Sequence, residues 1–202
     1  MPLAINNGIS LNPQPAAADS IAADSIVADS IVQNRIVNIK HRFQKGRLWC
    51  WAACIQMVLE LNGTEMSQCA IVKRKLRNPN HPCGPNFQSR NESCDPEDME
   101  QAWNDCGIQA EPKNGAIDMA TIKEEIAANR PVEAGIIWHL GGGHAVLIKG
   151  WAKTSPETLL IDDPLRDSLL EPDADGSGRA TRAELVAAFG HGRWGLTWKN
   201  LQ

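Results

Sequence analysis

The sequence predicts an α+β fold in which helices fill the first half of the ordered region and strands fill the second. Before Pro131, apolar residues recur with the spacing of buried helices. After Pro131, short β-branched and apolar runs are separated by Gly, Ser and Pro. Because the helices precede the strands instead of alternating with them, we expect a helical half packed against an antiparallel β half, with a cleft between.

The first predicted helix is central and buried on nearly every side. Its sequence WCWAACIQMVLEL, residues 49–61, is apolar except at Gln56 and Glu60, and Asn62-Gly63 ends it. Three further helices are expected at 65–77, 95–106 and 119–129. The predicted strands are 132–138, 144–151, 157–162 and the run RWGLTW near the C-terminus.

The N-terminal residues 1–36 are interpreted as a flexible arm, and residues 37–202 as one domain. The arm repeats ADSIA, ADSIV, ADSIV, and a five-residue period aligns the Ile side chains on neither a helix nor a strand. It lacks the basic start and apolar block of a secretory signal, so we expect a cytoplasmic protein or export by a non-classical route. No window reaches the roughly 20 apolar residues of a membrane span.

A formal net charge of −4 argues against nucleic acid as a partner. The six cysteines are interpreted as mostly reduced thiols, although Cys69, Cys83, Cys94 and Cys106 could form one or two bridges in an oxidising compartment. Their spacing fits no compact zinc pattern, and no metal or organic cofactor is expected for the chemistry described next.

Cys50 and His144 are the candidates for nucleophile and base. Cys50 lies in the first turn of the predicted buried helix, where free N–H groups and the helix dipole favour a thiolate. His144 begins a strand directly after three glycines, which allow close approach to a neighbouring helix end. Cys54, one turn further along, is expected in the core. His41, His81, His139 and His191 lack such a setting and are expected at the surface or in structural positions.

Two more residue types complete the predicted site. The strand after His144 ends in Asp162-Asp163-Pro164, and a carboxylate there can orient the imidazole. Strand alternation places the two Asp side chains on opposite faces, so one of them can meet His144. Gln44, six residues before Cys50, has an amide that can donate to an oxyanion. Trp194 or Trp198 is a candidate to shield His144 from water.

In motif order, Gln44, Cys50-Trp51-Ala52, His144-Ala145-Val146 and the acid before Pro164 resemble the papain-like cysteine peptidases. The compact bacterial branch, with double-glycine leader peptidases and papain-like bacterial effector proteases, is the most similar. The resemblance implies that Cys50 is the nucleophile, His144 the acid and base, and Gln44 the oxyanion donor. It favours Asp163 over Asp162 as the orienting acid, because Asp precedes Pro in that branch.

A competing pattern occurs in DADGSGRATRAE, residues 173–184, which fits a calcium-binding EF-hand loop with Asp173, Asp175, Ser177 and Glu184 as ligands. Pro172 leaves no room for the entering helix, and Ala180 replaces the usual β-branched residue. The stretch Thr181 to Glu184 is also a capping box, which explains Glu184 without a metal.

The sequence therefore predicts a cysteine peptidase that hydrolyses peptide or protein substrates through a thioester. Two alternatives stay open. An acyltransferase or isopeptidase of the same fold would use the same acyl-enzyme. A non-catalytic, calcium-responsive binding module would instead depend on residues 173–184.

Overall fold

The computed structural model describes residues 34–165 and 177–202, and it confirms the predicted α+β fold. The helices of the described residues are α1 (Cys50–Leu61), α2 (Gln68–Lys75), α3 (Pro96–Asp105), α4 (Met119–Ala127) and α5 (Arg182–Val186). The strands are β1 (Asn34–Ile36), β2 (Glu111–Asn114), β3 (Val132–Trp138), β4 (Gly143–Ala152), β5 (Thr158–Asp162), β6 (Ser177–Thr181) and β7 (Gly192–Lys199).

The strands form one antiparallel sheet in the order β2-β7-β3-β4-β5-β6, and β1 pairs with the end of β4. The central strands β3 and β4 are adjacent in sequence and place Ile136 opposite His144. Strand β5 follows β4 and pairs with it, so the acids at the end of β5 come next to the strand that carries His144. Among the helices of residues 34–165 and 177–202, none combines the length and apolar character that a membrane crossing requires.

Helix α1 is the centre of the core. All nine residues from Trp51 to Leu59 are buried, as expected for a helix that is apolar around its whole circumference. The helix packs against β4 of the sheet. Burial of this helix therefore brings the segment around Cys50 to the strand that bears His144.

The sequence did not predict three of the strands. Strands β1, β2 and β6 read NRI, EPKN and SGRAT, which have no alternation of apolar and polar residues. Each pairs with a more apolar strand, β4, β7 or β5, and that neighbour supplies the hydrogen-bonding partner that the local sequence does not indicate.

Four of the six cysteines are free thiols and two form a disulfide. Cys69 of α2 is bonded to Cys83 in the loop between α2 and α3, whereas Cys50, Cys54, Cys94 and Cys106 are free. The four loop cysteines thus form one bridge, which is one of the two arrangements that the spacing left open. The bond joins the loop to α2 across 14 positions of sequence.

Candidate active site

Cys50 is the first residue of α1, and the helix start is arranged to hold a thiolate. The residue before it, Trp49, has no side-chain oxygen with which to cap the first N–H groups. Burial by itself raises the pKa of the Cys50 thiol. The hydrogen bond and charge of His144, with the N–H groups of Ala145 and Trp51, outweigh this effect and lower the pKa below its ordinary value of 9.0.

Two tryptophans fix the start of α1 against the loop that precedes α3. The indole N–H of Trp49 donates to Glu92 Oε2 over 2.6 Å, and that of Trp51 donates to the Glu92 carbonyl over 3.1 Å. His81 Nε2 lies 3.2 Å from the other carboxylate oxygen of Glu92. His81, expected at the surface or in a structural position, thus has a partner in this loop.

His144 is positioned by the glycines before it. Gly141 and Gly142 adopt positive φ angles of 90° and 79°, which only glycine adopts without strain. A Cβ on Gly143 would lie 2.8 Å from the Ile136 carbonyl oxygen, so the close pairing of β3 and β4 requires glycine there too. The Trp138 ring stacks on the imidazole, with 6.2 Å between centroids and 15° between planes.

The ring that stacks on His144 belongs to Trp138, and not to Trp194 or Trp198, the two residues expected from the sequence to cover it. Trp194 is buried and its indole N–H donates to the Leu196 carbonyl. Trp198 lines the cleft instead. Trp138 is the last residue of the predicted strand before His144. Its place at the end of that strand, close to the glycine turn, could have indicated the contact with His144.

Asp163 binds the imidazole, as the DP motif predicts. Its Oδ1 lies 2.6 Å from His144 Nε2 and also accepts the Leu165 backbone N–H at 2.8 Å. With Nε2 engaged in this way, Nδ1 is the ring nitrogen left for the Cys50 thiol. Burial lowers the pKa of His144, but hydrogen bonds to Asp163 and Cys50 and their charges raise it to about 10.

Asp162 points away from His144. Its Oδ1 lies 3.1 Å from Lys149 Nζ and 3.0 Å from His41 Nδ1, and the side chain is fully buried. The alternation of β5 thus separates two neighbouring carboxylates into two environments. His41, expected at the surface, has a side chain only 9% exposed because it packs over this acid.

Gln44 is buried beside the cleft, but its amide points into its own loop. Nε2 donates to the carbonyls of Gly46 and Arg47, at 2.9 Å each. An oxyanion role therefore requires that substrate replace one of these two acceptors. The Gln44 backbone N–H donates to the Pro164 carbonyl over 2.9 Å, and Gln68 of α2 binds the flanking backbone at Phe43 and Lys45.

Cys50, His144 and Gln44 open onto a cavity of about 590 Å³ between the helices and the sheet. Its walls are mainly apolar, with Met99, Ile136, Ile137, Leu165, Leu196 and Trp198 among them. Glu133 of β3, a buried acid that was not singled out from the sequence, also lines the cavity. A single acid inside the apolar run VEAGIIW was the signal available for it.

The other free cysteines have raised pKa values, which disfavour the reactive thiolate. Cys54 is fully buried, as predicted, and burial raises its pKa well above 9.0. Burial raises the pKa of Cys94 to about 12 and that of Cys106 to about 11. Among the free cysteines, Cys50 alone has a lowered pKa.

The predicted calcium loop is only partly within the described residues. Ser177 lies in β6, paired with Asp162. Glu184 forms the predicted capping box with Thr181, whose N–H and hydroxyl both donate to its Oε2. Asp173 and Asp175 lie outside the described residues, and within those residues no group of three or more His, Cys, Asp or Glu has the arrangement of a metal site. Calcium binding stays a prediction.

Residues 32–171 match the family model described as the papain-like cysteine protease AvrRpt2. The chain belongs to this family. It is a cysteine-type peptidase of papain-like fold, and the family places peptide or protein among its substrates. No curated protein matches the chain.

Several solved structures resemble this chain, among them the following two. One is a double glycine motif protease from an AMS/PCAT transporter in complex with the leader peptide. It is 18% identical with a TM-score of 0.50, over 82% of this chain and 94% of that one. The other is UfSP from C. elegans, 14% identical with a TM-score of 0.49, over 84% of this chain and 34% of that one. At 18% identity the first likeness shows the fold alone.

Proposed function

We propose that this protein hydrolyses peptide bonds with Cys50, His144 and Asp163 as its catalytic triad. The observation that carries the proposal is the continuous contact from Asp163 through His144 to the thiol, at the start of a helix and at the edge of an open cavity. The lowered pKa of Cys50 and the raised pKa of His144 support a thiolate paired with an imidazolium before substrate binds.

In the first half of the reaction, the Cys50 thiolate attacks the substrate carbonyl carbon and the C–S bond forms. The carbonyl electrons move to oxygen, where the Cys50 N–H and one Gln44 N–H stabilise the charge. His144 gives its Nδ1 proton to the leaving nitrogen, the C–N bond breaks, and a thioester remains on Cys50. Asp163 holds the ring so that Nδ1 faces the sulfur.

In the second half, neutral His144 takes a proton from water, and the hydroxide attacks the thioester carbon. The C–S bond breaks, the acid product leaves, and the thiolate and imidazolium return. An amine in place of water would give acyl transfer or isopeptide exchange from the same thioester. Mass spectrometry of the products in the presence of an amine distinguishes the two outcomes.

The test compares Cys50→Ala with Cys54→Ala, because both cysteines lie on α1 one turn apart. We expect Cys50→Ala to fold and to lose hydrolysis and labelling by a thiol-directed epoxide. Cys54→Ala should keep both, since that thiol is buried in the core. Peptide mapping should place the label on Cys50 and not on Cys94, which also lines the cavity. Hydrolysis by folded Cys50→Ala would contradict the proposal.

A further inference from the structure

Two polar atoms in the wall of the cleft have no partner. Glu133 Oε2 and Trp198 Nε1 are both buried, and within the described part of the chain neither makes a hydrogen bond. Glu133 is 1% exposed and Trp198 is 4% exposed, yet both side chains line the cavity that contains Cys50. An unpaired buried polar group is costly, so two in one place indicate a ligand position.

The two side chains are neighbours on the sheet. Glu133 of β3 lies directly opposite Trp198 of β7 in the strand register, so both project from the same face. Opposite residues in an antiparallel pair have Cβ atoms about 5 Å apart. Gly135, two residues after Glu133 on β3, leaves space for the Trp198 ring, because an added Cβ there would lie 3.0 Å from it.

The charge state of Glu133 restricts what can bind. Burial raises the pKa of this carboxyl group well above 4.5, and the nearby Cys50 thiolate raises it further. The Trp103 indole and the charge of His144 act in the opposite sense, but they do not outweigh burial. Trp103 Nε1 makes no hydrogen bond of normal geometry within the described residues. The raised pKa favours the neutral acid, which has one O–H donor and one carbonyl acceptor.

We propose that Glu133 and Trp198 form a specificity pocket for a substrate side chain that ends in a carboxamide, glutamine or asparagine, next to the scissile bond. The carboxamide oxygen accepts the indole N–H of Trp198, and its NH₂ group donates to Glu133. This inference rests on the proposed peptidase function and adds the substrate class that the same site selects.

Other side chains fit the pair less well. Lysine and arginine have no acceptor for the indole N–H, and their charge must lose its water in a mainly apolar cavity. A glutamate side chain brings a second carboxyl group beside Glu133 and the thiolate. A leucine or methionine side chain leaves both polar atoms unpaired. A hydroxyl group has a single oxygen with which to satisfy two groups on different strands.

The test is a peptide library on the full chain in which each residue flanking the scissile bond is varied among Gln, Asn, Met, Glu, Lys and Ser. At one position we expect kcat/KM for Gln or Asn to exceed that for Met by about 10- to 100-fold, because Met has a similar length but no polar end. The ratio should fall toward one in Glu133→Leu and decrease in Trp198→Phe, which removes the N–H and keeps a ring.

Glu133→Gln is the conservative variant, since its amide also offers a donor and an acceptor without charge. We expect it to keep most of the preference that Glu133→Leu loses, because a Gln side chain can hydrogen-bond to the substrate carboxamide and a Leu side chain cannot. Melting temperatures check that each variant is folded. If Glu133→Leu does not fold, the ratios for Glu133→Gln and Trp198→Phe still decide the outcome.

The possible failures are distinguishable. Wild-type protein that cleaves peptides and is labelled at Cys50, but prefers Met, Lys or Ser at every position, contradicts this inference alone. A carboxamide preference that survives Glu133→Leu does the same. Wild-type protein that cleaves no peptide and leaves Cys50 unlabelled contradicts the proposed function, and the specificity pocket with it.

Discussion

Replacing His144 by Ala should return Cys50 to an ordinary, unreactive buried thiol. The two largest influences that lower the Cys50 pKa are the hydrogen bond and the charge of His144. Without them, burial dominates and the pKa rises above 9.0. A thiol with a pKa of 9.0 is about 1% ionised at pH 7, so the His144→Ala thiol should be ionised to less than that.

The assay is the rate of Cys50 alkylation by iodoacetamide from pH 5 to 11, with Cys50→Ala as the background. Dividing the rate at pH 7 by the high-pH plateau gives the ionised fraction, because only the thiolate reacts. We expect a fraction above 1% for the wild type and below 1% for His144→Ala. A wild-type fraction at or below 1%, or an equal fraction in the variant, would refute the thiolate–imidazolium pair.

The pH profile of peptide hydrolysis should fall at alkaline pH, whereas the pH profile of Cys50 alkylation should not. Hydrolysis needs the imidazolium as well as the thiolate, so its rate falls as pH rises through the pKa of His144, about 10. Asp163→Asn removes the largest influence that raises this pKa and should move the alkaline limb to lower pH. Asp162→Asn is the matched control, because its carboxylate contacts His41 and Lys149 instead, and the limb should not move.

Asp162→Asn should lower the free energy of unfolding by roughly 3 kcal/mol, measured in urea, because it removes one partner from a buried charge cluster; an unchanged midpoint would mean that the cluster contributes little. Replacing Cys69 and Cys83 by Ser should cost about 3 kcal/mol, as expected for a bridge across 14 positions, and should abolish the effect of reductant on the midpoint. Gln44→Ala should reduce kcat about 100-fold while alkylation of Cys50 continues, and equal losses in both assays would argue against an oxyanion role. Deleting residues 1–33, which keeps β1, should leave a soluble, folded domain, whereas insoluble protein would show that the deleted segment is needed.

The sequence predicted the elements whose patterns are local. The apolar run of α1 and the β-branched runs of β3, β4 and β5 identified those elements to within two residues at each end. It also identified Cys50, His144 and the pair Asp162-Asp163, because a helix start, a glycine turn and a strand end can each be recognised in the local sequence. The choice of Asp163 over Asp162 came from the resemblance to the papain-like peptidases. Strand β6 and the Cys69–Cys83 bond depend on which distant segments meet, and the local residues do not state that.

Glu133 illustrates a different limit. Its position in a buried strand was predicted, but an acid in an apolar run can be paired, solvated at an edge or left neutral. Only the register that places it opposite Trp198, with no partner for Oε2 in the described residues, distinguishes these cases. Whether a buried acid is paired, and whether it is ionised, depends on its neighbours on other strands, and a single sequence does not reveal those neighbours.

The two acids at the end of β5 also explain how residues more than a hundred positions apart are held together. Asp162 binds His41, three residues before Gln44, and the Pro164 carbonyl binds the Gln44 N–H. The same short stretch contains Asp163, which orients His144. One strand end thus positions the imidazole on one side and the segment that leads to Gln44 on the other. Because Asp162 acts on that segment and not on the imidazole, its loss should lower kcat through the oxyanion side while the ionisation of Cys50 stays the same.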